Sequence, residues 1–179
     1  DDIHMGNFLV RGRYTIKSRI RLEGIWVPVY RHSVYRFDLF DMPGFVNFTD
    51  AYKPDAALKN GSFAGKIEFL FDRFDGSVSW FNGFDPMPGI EAAPLPETPH
   101  ENPSIDMYAR PFRQQTVGLD FSFGLGSFGF RGEAAYREPD GVYKGEIFVP
   151  NRDLRYVLGI DRSFGIFNMM VIYSGQYVF

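Results

Sequence analysis

Between Gln115 and Glu138 the side chains alternate almost without interruption. Val117, Leu119, Phe121, Phe123 and Leu125 are separated by Thr116, Gly118, Asp120, Ser122 and Gly124. That period of two belongs to a β-strand. After Gly126-Ser127 the alternation resumes, with Phe128, Phe130, Gly132, Ala134 and Tyr136 on one face and Arg131, Glu133 and Arg137 on the other. The stretch is therefore a hairpin with one greasy face and one charged or small face. Each arm is about 10 residues long, the length a tilted strand needs to cross a bilayer. A single such hairpin fits a soluble sandwich equally well, with the greasy face inside.

Repetition of the pattern is what discriminates. Phe8 to Ile16 alternates apolar Val10, Tyr14 and Ile16 with Arg11, Arg13 and Thr15. A tight reversal near Lys17-Ser18 leads into Ile20, Leu22, Gly24 and Trp26, set against Arg19, Arg21 and Glu23. Phe63, Ile67, Phe69 and Phe71 alternate with Lys66, Glu68 and Asp72 before a turn over Arg73 to Gly76. The strand after it, 77–84, has an ambiguous phase, because Asn82 falls in step with Val78 and Trp80 while Phe81 does not. Leu154, Tyr156, Leu158 and Ile160 alternate with Arg155 and Asp161, and a turn at Phe164-Gly165 opens a last strand carrying Phe167, Met169, Val171, Tyr173 and Tyr177. Between these segments lie three long connections, 31–61, 85–113 and 138–151. The first keeps no period and reads as loop. The density of proline in the second argues against both helix and interior strand. Only Pro28 touches a predicted strand, at its edge.

The reading is thus eight antiparallel strands in one domain, 1–179, with tight reversals alternating with long loops. That asymmetry is the mark of an up-and-down transmembrane β-barrel with short periplasmic turns and long external loops. Aromatics are abundant, 20 Phe, 10 Tyr and 2 Trp. Tyr14, Trp26, Trp80, Phe84, Tyr136, Tyr173 and Tyr177 fall toward strand ends, where interfacial girdles lie. A soluble sandwich or lipocalin-like barrel built from these strands would be covered in exposed phenylalanine. No apolar run is long enough for a membrane helix, which needs roughly 20 residues. The formal charge of −3 argues against a nucleic-acid partner. The absence of cysteine removes disulfide frameworks and thiolate metal sites, and DDIHMGNF has no signal-peptide pattern.

The segments GLDFSFGLGSFGFRGEAAYRE, RYVLGIDRSFGIFNMMVIYSGQYVF and RLEGIWVPVY resemble large porin-like β-barrel proteins of Gram-negative outer membranes, a group akin to the alginate-export barrels. The resemblance leaves out the long loops and rests on hairpin pattern more than on a chemical signature. It implies a pore in the bacterial outer membrane without naming a solute. Proteins of that kind are much longer than 179 residues.

Chemical motifs are few. Gly124 to Gly129 satisfies G-x-G-x-x-G, but a dinucleotide site needs a helix after the glycines and a strand pattern follows. His4, His32 and His100 are scattered over a terminus and two loops. Asp38, Asp41 and Asp50 share one loop without the regular spacing of a calcium site, and no G-x-S-x-G elbow is present. No catalytic, cofactor-binding or metal-ligating residue is assigned, and the expectation is a protein that is not an enzyme.

The informative residues are those on the second face: Arg11, Arg13, Arg19, Arg21, Glu23, Lys66, Glu68, Asp120, Arg131, Glu133, Arg137, Arg155 and Asp161. In a barrel they point inward. A wide barrel would expose them to water as a pore lining, whereas a closed eight-stranded one would plug its interior with ion pairs. The expected role is a porin-like channel for passive diffusion of small hydrophilic solutes or ions. The alternatives are a barrel anchor displaying aromatic loops such as YRFDLFDMPGFVNF for adhesion or recognition, and a structural part of an outer-membrane complex. If the tight turns are periplasmic, both chain ends face outward, whereas a complete bacterial barrel returns them to the periplasm. The chain is therefore expected to be a piece of a larger barrel, or to pair its edges with other chains as an oligomer or complex, because open edges in lipid leave backbone groups unsatisfied.

Overall fold

The computed structural model describes residues 8–31, 44–49, 54–55, 57–93 and 105–179. Along the chain the strands are β1 (Val10–Ile16), β2 (Ile20–Val27), β3 (Val46–Thr49), β4 (Ser62–Phe71), β5 (Phe74–Phe84), β6 (Gly89–Ala92), β7 (Ile105–Arg110), β8 (Arg113–Leu125), β9 (Phe128–Pro139), β10 (Asp153–Phe164) and β11 (Phe167–Val178). Eight of them form one antiparallel sheet in the order β1-β2-β4-β5-β8-β9-β10-β11. Spatial order follows chain order, as the alternation predicts. Within the described residues the sheet is open: β1 pairs only with β2, β11 only with β10, and no barrel closes.

The tight reversals set the register. Leu125 pairs with Phe128 across Gly126-Ser127, and Phe164 with Phe167 across Gly165-Ile166. Gly126 and Gly165 have φ of 62° and 58°, the left-handed region that two-residue hairpin turns demand and glycine enters without a Cβ penalty. The turn expected over Arg73 to Gly76 is tighter, since Phe71 already pairs with Phe74 and only Asp72-Arg73 reverse the chain. Lys17 and Ser18 reach φ of 47° and 57° without glycine. That reversal extends through Arg19, whose N–H bonds the Ile16 carbonyl at 3.1 Å.

The expectation that residues 85–113 exclude strand is corrected. β6 and β7 lie there, and with β3 from the first long connection they build a second sheet in the order β3-β7-β6, parallel between β3 and β7. The prolines fall beside these short strands. Pro139, assigned to a loop by the sequence, is the last residue of β9, and Pro28 lies just past β2. In the third connection, residues Gly141–Tyr143 make a 3-10 turn, and the Asp140 side chain accepts the Val142 N–H at its start.

Buried apolar side chains gather at the loop end. Phe84, Ala109 and Phe112 are the buried hydrophobic residues among those described, joined there by Pro88. Tyr143 packs edge-on against Phe112 and Phe148 at 6.5 and 6.4 Å. A Cβ on Gly89 would fall 1.9 Å from the Phe148 carbonyl oxygen, so the third connection presses directly on β6.

The body of the large sheet is different. Its register stacks Leu22, Ile67, Val78 and Leu119 side by side, a row of cross-strand apolar pairs. No described residue covers them: Ile67 is 42 % exposed, Val78 43 % and Leu119 51 %. Rings and glycines interlock along this face. Phe121 lies over Gly132, where a Cβ would come within 2.6 Å of the ring. The phase of 77–84 is also fixed, since Val78, Trp80 and Asn82 pair with Ile67, Gly65 and Phe63 and so share the apolar face.

Candidate functional site

The opposite face of the large sheet carries the charge. One row across it reads Arg21, Glu68, Ser77, Asp120, Glu133, Val157, and the next reads Arg13, Glu23, Lys66, Ser79, Gly118, Ala135, Arg155, Gln176. Arg11, Arg131, Arg137 and Asp161 share this face. Every residue in the expected lining is therefore brought together except Arg19. It falls in the reversal before β2, where its carbonyl accepts the Leu70 N–H at 2.7 Å. The reversal needs one residue more than the alternation implies, and that residue is Arg19.

Ion pairing on this face is uneven. On β1, β2 and β4, Glu23 accepts from Arg11 at 2.6 Å and Arg13 at 2.9 Å, and Glu68 from Arg21 at 2.8 Å and Lys66 at 3.1 Å. Four cations thus surround two carboxylates. On β5, β8 and β9 the balance reverses. Asp120 is bonded by the Ser77 hydroxyl and stands directly opposite Glu133. Neither of them, nor Asp75, has a cationic partner among the described residues, while Arg131 is taken by Asp161 at 2.5 Å. Like charges directly opposite disfavour one another in a strand pair, so the arrangement is not one that sheet stability alone selects. A trough of about 1100 Å³ lies over this face, bounded by Lys66 on β4, Asp120 on β8, Glu133 on β9, Arg155 on β10 and Gln176 on β11. One volume bounded from β4 to β11 makes the sheet concave on its charged side.

At the loop end of the trough sits a group absent from the expected lining. Asp153, 1 % exposed, accepts from Arg137 at 2.9 and 3.1 Å, from Arg155 at 2.8 Å and from Gln176 at 2.8 Å. Asp85, also buried, accepts from Gln114 at 2.7 Å and stands 3.8 Å from Arg137. A buried carboxylate is tolerable only with such a full set of donors. The network fastens β9, β10 and β11 to the connection after β5. The sequence reading places Asp85 in a loop and leaves Asp153 unassigned, between the connection 138–151 and the strand read from Leu154. The available signal was parity, since Asp153 is one alternation step before Arg155.

Asn82 at the loop end of the apolar face bonds Arg113 at 2.8 Å, and Arg113 also donates to the Gly61 carbonyl and stacks over Phe84 at 5.0 Å. The glycine motif at Gly124 to Gly129 is a hairpin turn followed by β9, with no helix. Trp26, Trp80, Phe84, Tyr136 and Tyr177 stand toward the loop end, whereas Tyr14 and Tyr173 pair within interior rows, opposite Leu22 and Leu158. His4, His32, His100, Asp38, Asp41 and Asp50 lie outside the described residues. Among the described residues, no group of His, Cys, Asp or Glu has the arrangement of a metal site. Comparison with models of known protein families, with characterised proteins and with solved structures finds no match.

Proposed function

We propose that the protein is part of a porin-like β-barrel channel of the bacterial outer membrane, passing small hydrophilic solutes or ions by diffusion and performing no chemistry of its own. The observation that carries this reading is the division of one large sheet into two faces. An apolar lattice that no described residue covers spans all eight strands on one side, and an ion-paired, concave trough lies on the other. Lipid would cover the first and water fill the second. The open edges at β1 and β11 would be paired by further strands, of this chain or of another copy, because lipid satisfies no backbone group.

Purified protein in a planar bilayer tests the proposal. Stepwise conductance supports it, and solubility in plain buffer without detergent rejects it. A second reading, a barrel that anchors and displays its loops, is favoured by the separate sheet β3-β7-β6 and the packing of the third connection against it. A silent bilayer with intact insertion would select that reading.

A further inference from the structure

We propose that Arg162, on the apolar face beside the tight turns, binds the phosphate of a phospholipid headgroup. The inference rests on the membrane reading above.

Strand arginines on the charged face all have carboxylate partners, as with Arg21 and Glu68 or Arg131 and Asp161. Two arginines of the large sheet lie on the apolar face instead. Arg113, at the loop end, is saturated by the Gly61 carbonyl and the Asn82 side chain. Arg162, at the turn end, has no acceptor among the described residues, and its Nε is enclosed without a partner. Its register neighbours are Phe128 and Met169. The adjacent Asp161 points to the other face, where it holds Arg131.

Two rings hold the guanidinium in place. Its central carbon is 4.6 Å from the Phe128 ring centroid and 4.5 Å from that of Phe164. Both rings flank tight turns, which puts the cation at the rim of the sheet. Phe128 continues into Phe130 and Phe123, with Phe123 and Phe130 stacked at 5.0 Å. On the apolar face the turn end is thus built of phenylalanine, which offers acyl chains a surface. The loop end of that face has the indole and phenol groups of Trp26, Trp80, Tyr136 and Tyr177. Arg162 is the charged side chain that the apolar face carries at the turn end, whereas Lys17, Arg19 and Arg73 sit in the reversals themselves. The Nε is enclosed, but the two Nη groups are not, and a phosphate diester can take two parallel charge-assisted bonds from that open Nη edge. A guanidinium left uncompensated on a lipid-facing surface is complementary in charge to that phosphate and to nothing else on this face.

The test is native mass spectrometry of the protein released from vesicles of equimolar phosphatidylglycerol and phosphatidylcholine. The wild type is expected to retain phosphatidylglycerol. Arg162→Gln should lower retention on the order of tenfold, the worth of one charge-assisted pair. Arg162→Lys, which keeps the charge but not the fork, should fall between. Lys59→Gln, which removes a charge at the opposite end, should retain lipid like the wild type. Equal retention in Arg162→Gln and Lys59→Gln overturns the site, as does displacement of the lipid by excess inorganic phosphate. A wild type that fails to enter the vesicles overturns the membrane reading itself, whereas insertion without Arg162-dependent retention overturns only the lipid site.

Discussion

The loop end and the body of the large sheet solve the burial problem in opposite ways. At the loop end, Phe84, Ala109, Phe112 and Pro88 are packed away from solvent, and buried Asp85 and Asp153 have their donors supplied. This is how a water-soluble domain is built. In the body no described apolar side chain is buried, although the strands there are the longest in the molecule. Its strands are hydrogen-bonded in order with only the outer edges of β1 and β11 open, but no described residue covers its apolar face. The loop end is organised by its own packing, while the apolar face of the body is left exposed among the described residues.

Four changes would break or sharpen that contrast. Phe112→Ala removes the most enclosed ring of the loop end and should cost about 3–5 kcal/mol. Chemical unfolding followed through nearby tyrosine fluorescence checks it, and the loss should be similar in detergent and in vesicles. A loss confined to vesicles would contradict a self-contained core. Val78→Arg, in the middle of the apolar face, should cost about 2–4 kcal/mol in vesicles, the penalty of a lipid-facing charge at mid-depth. Reversible urea unfolding in vesicles measures it, and a neutral result would mean that lipid does not cover this face.

Arg21→Glu acts on the charged face, where it breaks a part-buried pair and sets two carboxylates directly opposite. It should cost roughly 1–2 kcal/mol of stability and shift the zero-current potential in a salt gradient toward cation selectivity. A variant that fails to assemble would show that the ion pairs on β1, β2 and β4 are structural. The smallest effect is expected at the reversal before β2. Ser18→Gly relieves a left-handed residue and should raise stability by about 1 kcal/mol, read from the same unfolding curves. No gain would imply that the Ser18 conformation is held by contacts outside the turn.

How far the sequence could be read follows from the range of the interactions. Strands β8 and β9 are legible because their alternation and their turn at Gly126-Ser127 are contiguous, and the turn alone sets Leu125 opposite Phe128. Strands β3, β6 and β7 were not, because four to six residues hold too little periodicity and β3 finds its partner far along the chain, as in the pair Val46 and Ile105. The charged face was legible as a set but not as pairs. Parity puts Glu68 and Lys66 on one side, whereas only the register decides that Asp120 meets Glu133 and that Arg137 meets Asp153. Arg19 was misplaced for a related reason, since alternation cannot tell how many residues a reversal consumes.

The order of the large sheet has a consequence for its history and assembly. Each strand of this sheet pairs only with the sheet strands that precede and follow it in chain order, with β3, β6 and β7 set aside in the second sheet, so the sheet behaves as a one-dimensional chain of neighbours, like a repeat protein. A hairpin gained or lost by duplication or deletion would change the circumference of the finished wall and leave every other register intact. In the same way, hairpins can add to a growing edge one after another, each closing only a local loop. The width of a sheet built this way would then be set by counting hairpins, not by redesigning them.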